Sequence, residues 1–120
     1  MSVTFVRADG GGREVYSNHG NAGATETIDL ANGNVHRIVL DANCTLTFSG
    51  STASVACSFT LVVVQDATGS RTVTWPASVD WPAATAPTLS TAANKVDILT
   101  FVTVDNGTTW WGFLSGLALG

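Results

Sequence analysis

The feature that most limits how this chain can fold is a hairpin signal near its C-terminus. Lys95 to Val104 reads KVDILTFVTV, a run of β-branched and aromatic residues with strand character. Asp105-Asn106-Gly107-Thr108 follows it. Asn-Gly accepts the positive φ angles of a type I′ turn, whose twist matches that of two antiparallel strands. With Asn106-Gly107 as the loop, Thr108 to Leu114 is the return strand. Thr103 then faces Trp110, and Phe101 faces Gly112. A ring opposite a glycine is a favourable cross-strand pair, because the bare backbone leaves room for it. On this register Phe101, Thr103, Trp110 and Gly112 share one side. Val96, Ile98, Thr100, Val102, Val104, Trp111 and Phe113 share the other. Neither side is polar. The pair is expected at the centre of a sandwich or with one face against another protein.

Upstream lie two Trp-Pro pairs, Trp75-Pro76 and Trp81-Pro82. Proline removes a ladder donor and favours extended geometry in the residue before it. Thr72 to Trp75 is therefore a strand that stops at Pro76 or runs along an edge. Ala77 to Trp81 is a short extended piece, and Pro82 to Asn94 is a loop. Trp75 and Trp81 either cap one end of the core or present rings to a sugar or a partner. Earlier still, Ala24 to Leu30 and Val35 to Leu40 read as strands joined by a second Asn-Gly signal at Asn32-Gly33. Asn43 to Phe48 and Cys57 to Gln65 alternate cleanly. A hairpin centred on Gly50-Ser51 would set Cys44 opposite Cys57. Free buried thiols are expected there, with a disulfide formed after release as the alternative. Ser2 to Val6 is a short strand candidate. Ala8 to Ala24 is Gly- and Asn-rich and is expected to be a surface segment or an arm that orders on a neighbour.

About eight short strands with regular turn signals and no convincing helix indicate an all-β domain. The expected architecture is an antiparallel β-sandwich, with a jelly roll as the preferred topology. The divisions are 1–23 for the first strand and arm, 24–114 for the sandwich, and 115–120 for an apolar tail.

Only 12% of residues are charged, while Thr occurs seventeen times. A charge-poor, Thr-coated β surface suits burial against other subunits. The formal net charge is −4 and the five basic residues are scattered, which argues against nucleic acid. No apolar run approaches a membrane span, and the N-terminus lacks the pattern of a secretory signal. Synthesis in a cytoplasm is the default expectation. His19 and His36 belong to no Cys/His cluster, so no metal or cofactor is expected. No nucleophile elbow, P-loop or zinc-protease motif is present. Asp80 lies beside Trp81, but nothing pairs it with the second carboxylate that glycoside hydrolysis requires. The chain is not read as an enzyme.

The segment from Arg71 to Phe113 resembles one recurring in tailed-bacteriophage virion proteins, among them tail-fibre tips and small stand-alone structural proteins. The matching elements are Thr74-Trp75-Pro76, Trp81-Pro82, Pro87-Thr88-Leu89, Lys95-Val96-Asp97 and Gly107-Thr108-Thr109-Trp110. Asn34 to Leu40, Cys44 to Phe48 and Phe59 to Asp66 follow the same pattern. The resemblance implies a β-sandwich, usually trimeric, on the virion surface. The chain has no heptads or shaft repeat and places some twenty residues before the domain. That favours a capsid decoration protein, a homotrimer clamping the major capsid protein, with Val15, Tyr16, Leu117 and Leu119 as anchors. The alternative is a tail-fibre or tail-tip module that recognises host-surface glycan through Trp75, Trp81 or Trp110.

Overall fold

The computed structural model describes residues 13–120. The strand expected at Ser2 to Val6 and the first part of the arm lie outside them. Nine strands follow: β1 (Tyr16–Asn21), β2 (Thr25–Asp29), β3 (Val35–Leu40), β4 (Cys44–Ser49), β5 (Cys57–Gln65), β6 (Val73–Thr74), β7 (Val79–Asp80), β8 (Val96–Thr103) and β9 (Trp110–Leu119). Short 3-10 turns occupy Leu30–Asn32 and Pro82–Ala84. No α-helix occurs among the described residues.

The strands form two sheets. One has six strands in the order β1-β3-β5-β8-β9-β7, and the other has three in the order β2-β4-β6. From β1 to β6 the chain alternates between them, and within each sheet successive strands run parallel. Parallel neighbours need a crossover. Here a strand of the opposite sheet supplies it, so the chain winds through three coils, β1-β2, β3-β4 and β5-β6. Residues in equivalent positions stack from coil to coil, as in Thr25, Thr45 and Thr74. The winding ends at β8, which pairs antiparallel with β5 and then with β9.

This corrects the expected antiparallel sandwich and jelly roll: the six-stranded sheet is mixed, the three-stranded sheet is parallel, and the first half of the chain is a parallel coil. Two expected turns are also corrected. Asn32-Gly33 does not close a hairpin. The 3-10 turn before it and the φ of 144° at Gly33 carry the chain from one sheet to the other. Gly50-Ser51 likewise joins β4 to β5 across the sheets. Cys44 therefore pairs with Val73, and Cys57 with Thr103, not with each other. Both thiols are free. The strand alternation was sound, but a period of two does not say which strand is the neighbour.

The arm is corrected in part. Tyr16 to Asn21 forms β1 although its sequence, YSNHGN, has little β propensity. Its ladder to β3 begins where Val15 O accepts Asn34 N at 3.0 Å and Val35 N at 3.2 Å. The tail is strand too, since β9 continues to Leu119.

The C-terminal hairpin has the expected register, with Phe101 opposite Gly112 and Val102 opposite Trp111. Asn106 and Gly107 both have positive φ, 58° and 78°. The turn is tied inward because Thr103 Oγ1 accepts Gly107 N and donates to Asp105 Oδ1.

The core lies between the sheets. Ile28, Cys44 and Leu46 come from the smaller sheet, and Ile38, Leu40, Phe59, Leu61, Leu99, Phe101 and Trp110 from the larger. Phe48 reaches across to Phe59, Phe101 and Trp110 at ring-centroid distances of 4.9, 5.0 and 5.7 Å. These edge-on contacts suit aromatic quadrupoles. Trp75 and Trp81 extend the aromatic cluster over Phe101.

Candidate functional site

The second sheet covers one face of the six-stranded sheet and leaves the other open. Because side chains alternate along a strand, the open face is set by the residues between the core positions. Tyr16, Val35, Thr60, Thr100 and Phe113 make one row across five strands. Ser58, Val102 and Trp111 make the next. Asn18, Arg37, Val62 and Ile98 make a third. Along these rows Arg37 is the one charged side chain, and it donates to Asn18 Oδ1 at 3.4 Å. Tyr16, Trp111 and Phe113 are 56%, 44% and 46% exposed. Three large rings on one sheet face exceed the scattered exposure ordinary for a soluble surface.

Within this face is a concavity of about 240 Å³. Ser58, Thr60 and Thr100 line it with hydroxyls, Phe113 and Val102 with apolar surface, and Glu14 stands at its rim. Glu14 is held by Asn34, whose Nδ2 donates to Oε2 at 2.6 Å. Thr100 Oγ1 shares a hydrogen bond with Ser115 Oγ at 3.1 Å. Rings beside hydroxyls present both apolar and hydrogen-bonding surface, which suits a ligand with C–H faces and hydroxyl edges.

The face continues into an edge. The short β7 pairs only with Trp110 and Trp111 of β9. From Phe113 to Leu119 the outer side of β9 has no neighbouring strand among the described residues. This stretch contains no charge and no proline, the usual devices that blunt an edge. Leu114, Leu117 and Leu119 on it are 38–49% exposed.

The residues singled out from sequence fall in three places. Val15 and Tyr16 are exposed at the β1 edge, and Leu117 and Leu119 are exposed on β9. Trp75 and Trp81 are half-buried against the core, their centroids 5.2 Å apart. Trp110 is 2% exposed and packs on Phe48 and Phe59. The exposed indole is that of its neighbour Trp111. Strand alternation placed Trp111 and Phe113 on one side of the hairpin. What it did not reveal is that the second sheet packs on the opposite face and leaves that side open.

Elsewhere the polar chemistry is structural. Burial pushes the Cys44 thiol up, with Glu26 and Asp41 adding to the effect, so it is a poor nucleophile. Asp66 is held below the usual carboxylate range, first by the Gly69 N–H and then by Arg71. Asp105 is held low by the Thr109 N–H and the Thr103 hydroxyl. Among the described residues no three His, Cys, Asp or Glu side chains are placed to hold a metal ion. No helix among them is long and apolar enough to cross a membrane.

Fold and face together define an all-β module with one broad uncovered sheet face. The chain belongs to the family described as "Putative phage tail fibre C-terminal domain", whose model matches residues 22–110. It is a virion structural protein of a tailed phage. No curated protein and no solved structure matches it significantly.

Proposed function

We propose that this chain is the receptor-contacting domain of a tail fibre, displayed on the virion surface and acting by binding rather than catalysis. The family match over residues 22–110 supports this reading and favours a tail fibre over capsid decoration. The open sheet face is the proposed contact surface, and a host-surface glycan is the proposed ligand. Tyr16, Trp111 and Phe113 supply rings for the C–H faces of sugars, while Ser58, Thr60 and Thr100 supply hydroxyl partners. In this reading the domain works as a homotrimer, with the uncharged β9 edge lying against a neighbouring copy. Three faces on one fibre tip would turn weak single contacts into slow release.

Adsorption competition tests the proposal. Purified domain should slow attachment of its phage to host cells. Trp111→Ala with Phe113→Ala should abolish the competition while leaving thermal unfolding nearly unchanged, because both rings are exposed. Competition undiminished in the double variant removes the face from the proposal. Quantitative mass spectrometry of virions tests the tail placement separately. A few dozen copies or fewer agree with a fibre, and near-parity with the major capsid protein returns the decoration reading.

A further inference from the structure

The concavity on the open sheet face has a floor and two unlike walls. Ser58, Thr60, Thr100 and Val102 come from the central strands β5 and β8, and their short side chains leave the dip. Phe113 stands on one side, paired with Thr100 across β8 and β9. Glu14 stands on the other, tied to Asn34, whose backbone oxygen accepts Thr60 N at 2.9 Å. Glu14 is the one charged side chain among the lining residues. Arg37, the charged residue in the rows of this face, is engaged with Asn18 in the third row.

The tie to Asn34 fixes how Glu14 is presented. A carboxylate only accepts, so Asn34 must turn its Nδ2 toward Oε2, which it meets at 2.6 Å. The cost falls on Asn34, whose own Oδ1 is buried with no donor among the described residues. A buried acceptor without a partner is destabilising, and an apolar residue at this position would avoid it. Core packing does not account for the pair, whereas holding a carboxylate at the rim of a pocket does. Among the described residues no donor engages the other oxygen of Glu14, Oε1, and the side chain is exposed.

We propose that Glu14 sets the charge class of the ligand: the site takes an uncharged sugar ring and excludes acidic ones. This rests on the glycan reading of the open face given above. A volume of about 240 Å³ lies below the roughly 300–1,000 Å³ of sites for drug-sized molecules, so one ring enters and the rest of the glycan stays outside. Neighbouring hydroxyls of that ring donate to the carboxylate, and hydrogen bonds to a charged acceptor are the stronger kind. Phe113 takes a C–H face of the ring, and the hydroxyls of Thr60 and Thr100 meet its remaining edge. A sugar acid would instead bring a carboxylate, sulfate or phosphate beside Glu14, with no cation among the lining residues to offset the repulsion. Glu14 is thus a specificity-determining residue, and it works as much by what it turns away as by what it binds.

Polysaccharide from the host envelope, split into neutral and acidic fractions by anion exchange, provides the probes. Each fraction competes with host cells for the fluorescently labelled full chain. The neutral fraction should inhibit at a concentration about tenfold or more below that of the acidic one. Raising salt from about 50 mM to about 500 mM should narrow the gap by screening the repulsion. Glu14→Gln keeps an oxygen for Asn34 and removes the charge. It should bind the neutral fraction about tenfold more weakly and the acidic fraction no worse, with thermal unfolding nearly unchanged because the residue is exposed. Stronger inhibition of the wild type by the acidic fraction, or a ratio between fractions that Glu14→Gln leaves unchanged, overturns the role of Glu14 while the face stands as a glycan site. Inhibition of the wild type by neither fraction overturns the glycan reading, and this proposal with it.

Discussion

Gly33 holds two sheets in position with no side chain at all. Its φ of 144° lies in the region that side chains disfavour, and a Cβ there would sit 2.5 Å from Val15 O. That oxygen is the acceptor that starts the β1 ladder. Gly33→Ala should destabilise the domain by about 3 kcal/mol, combining backbone strain with the loss of these bonds. Chemical denaturation measures it, and a loss under 1 kcal/mol would show that β1 does not depend on this junction. Asp97 is the polar counterpart. It is 2% exposed, and its carboxylate accepts Ser90 N and Oγ, each at 2.7 Å, and Ala118 N at 2.8 Å. One side chain thus joins the long Pro-rich loop to the end of β9. Asp97→Ala leaves these donors unpartnered and should cost about 3 kcal/mol, with faster amide exchange at Ser90 and Ala118. An equal loss without faster exchange at those two amides would show a general rather than local effect. Neither role was legible beforehand. Gly33 looked like a hairpin glycine, and Asp97 looked like an ordinary strand start, because their partners are 18 and 7 or more residues away.

Among the elements, the turn and near register of the C-terminal hairpin were read correctly, since they follow from a two-residue turn. The return strand was not: it runs Trp110–Leu119 rather than Thr108 to Leu114, and its register slips on both sides of Ile98. Its glycine-ring pair is a close fit: a Cβ on Gly112 would come within 3.0 Å of Phe101 and 2.8 Å of Trp81. β1 was missed because its stability comes from a ladder to β3 rather than from its own residues. The β4-β5 hairpin was misread for a related reason. Each strand was real, but a turn rich in Gly and Ser serves a sheet-to-sheet crossing as well as a hairpin. β9 carries a prediction of its own. Its unpaired, uncharged edge should mediate self-association of the isolated domain. Leu117→Lys should lower the apparent mass toward that of a monomer in sedimentation, because a charge on an edge opposes strand pairing. A wild-type protein that is monomeric at high concentration would remove β9 as the subunit contact.

At the scale of the molecule, the class of fold was legible and the path of the chain was not. Alternation and turn residues specify strands, whereas parallel winding depends on which strand lies beside which, and this is settled only in the packed core. Part of the acid sensitivity of the molecule should trace to two turn carboxylates. Asp66 accepts Thr68 N, Gly69 N and the Arg71 guanidinium, and Asp105 accepts the Thr109 N–H. Both are held below the usual carboxylate range in the folded state. Between the folded and unfolded values the unfolded chain binds more protons, so stability falls with falling pH. Their contribution is present above about pH 4 and is lost as pH drops through the depressed folded values. In thermal unfolding from pH 6 to pH 2, the wild-type melting temperature should fall below about pH 4. An Asp66→Asn, Asp105→Asn double variant should start lower and fall less, because the amide has no such proton to gain. Parallel curves for the two proteins would place the acid-sensitive groups elsewhere.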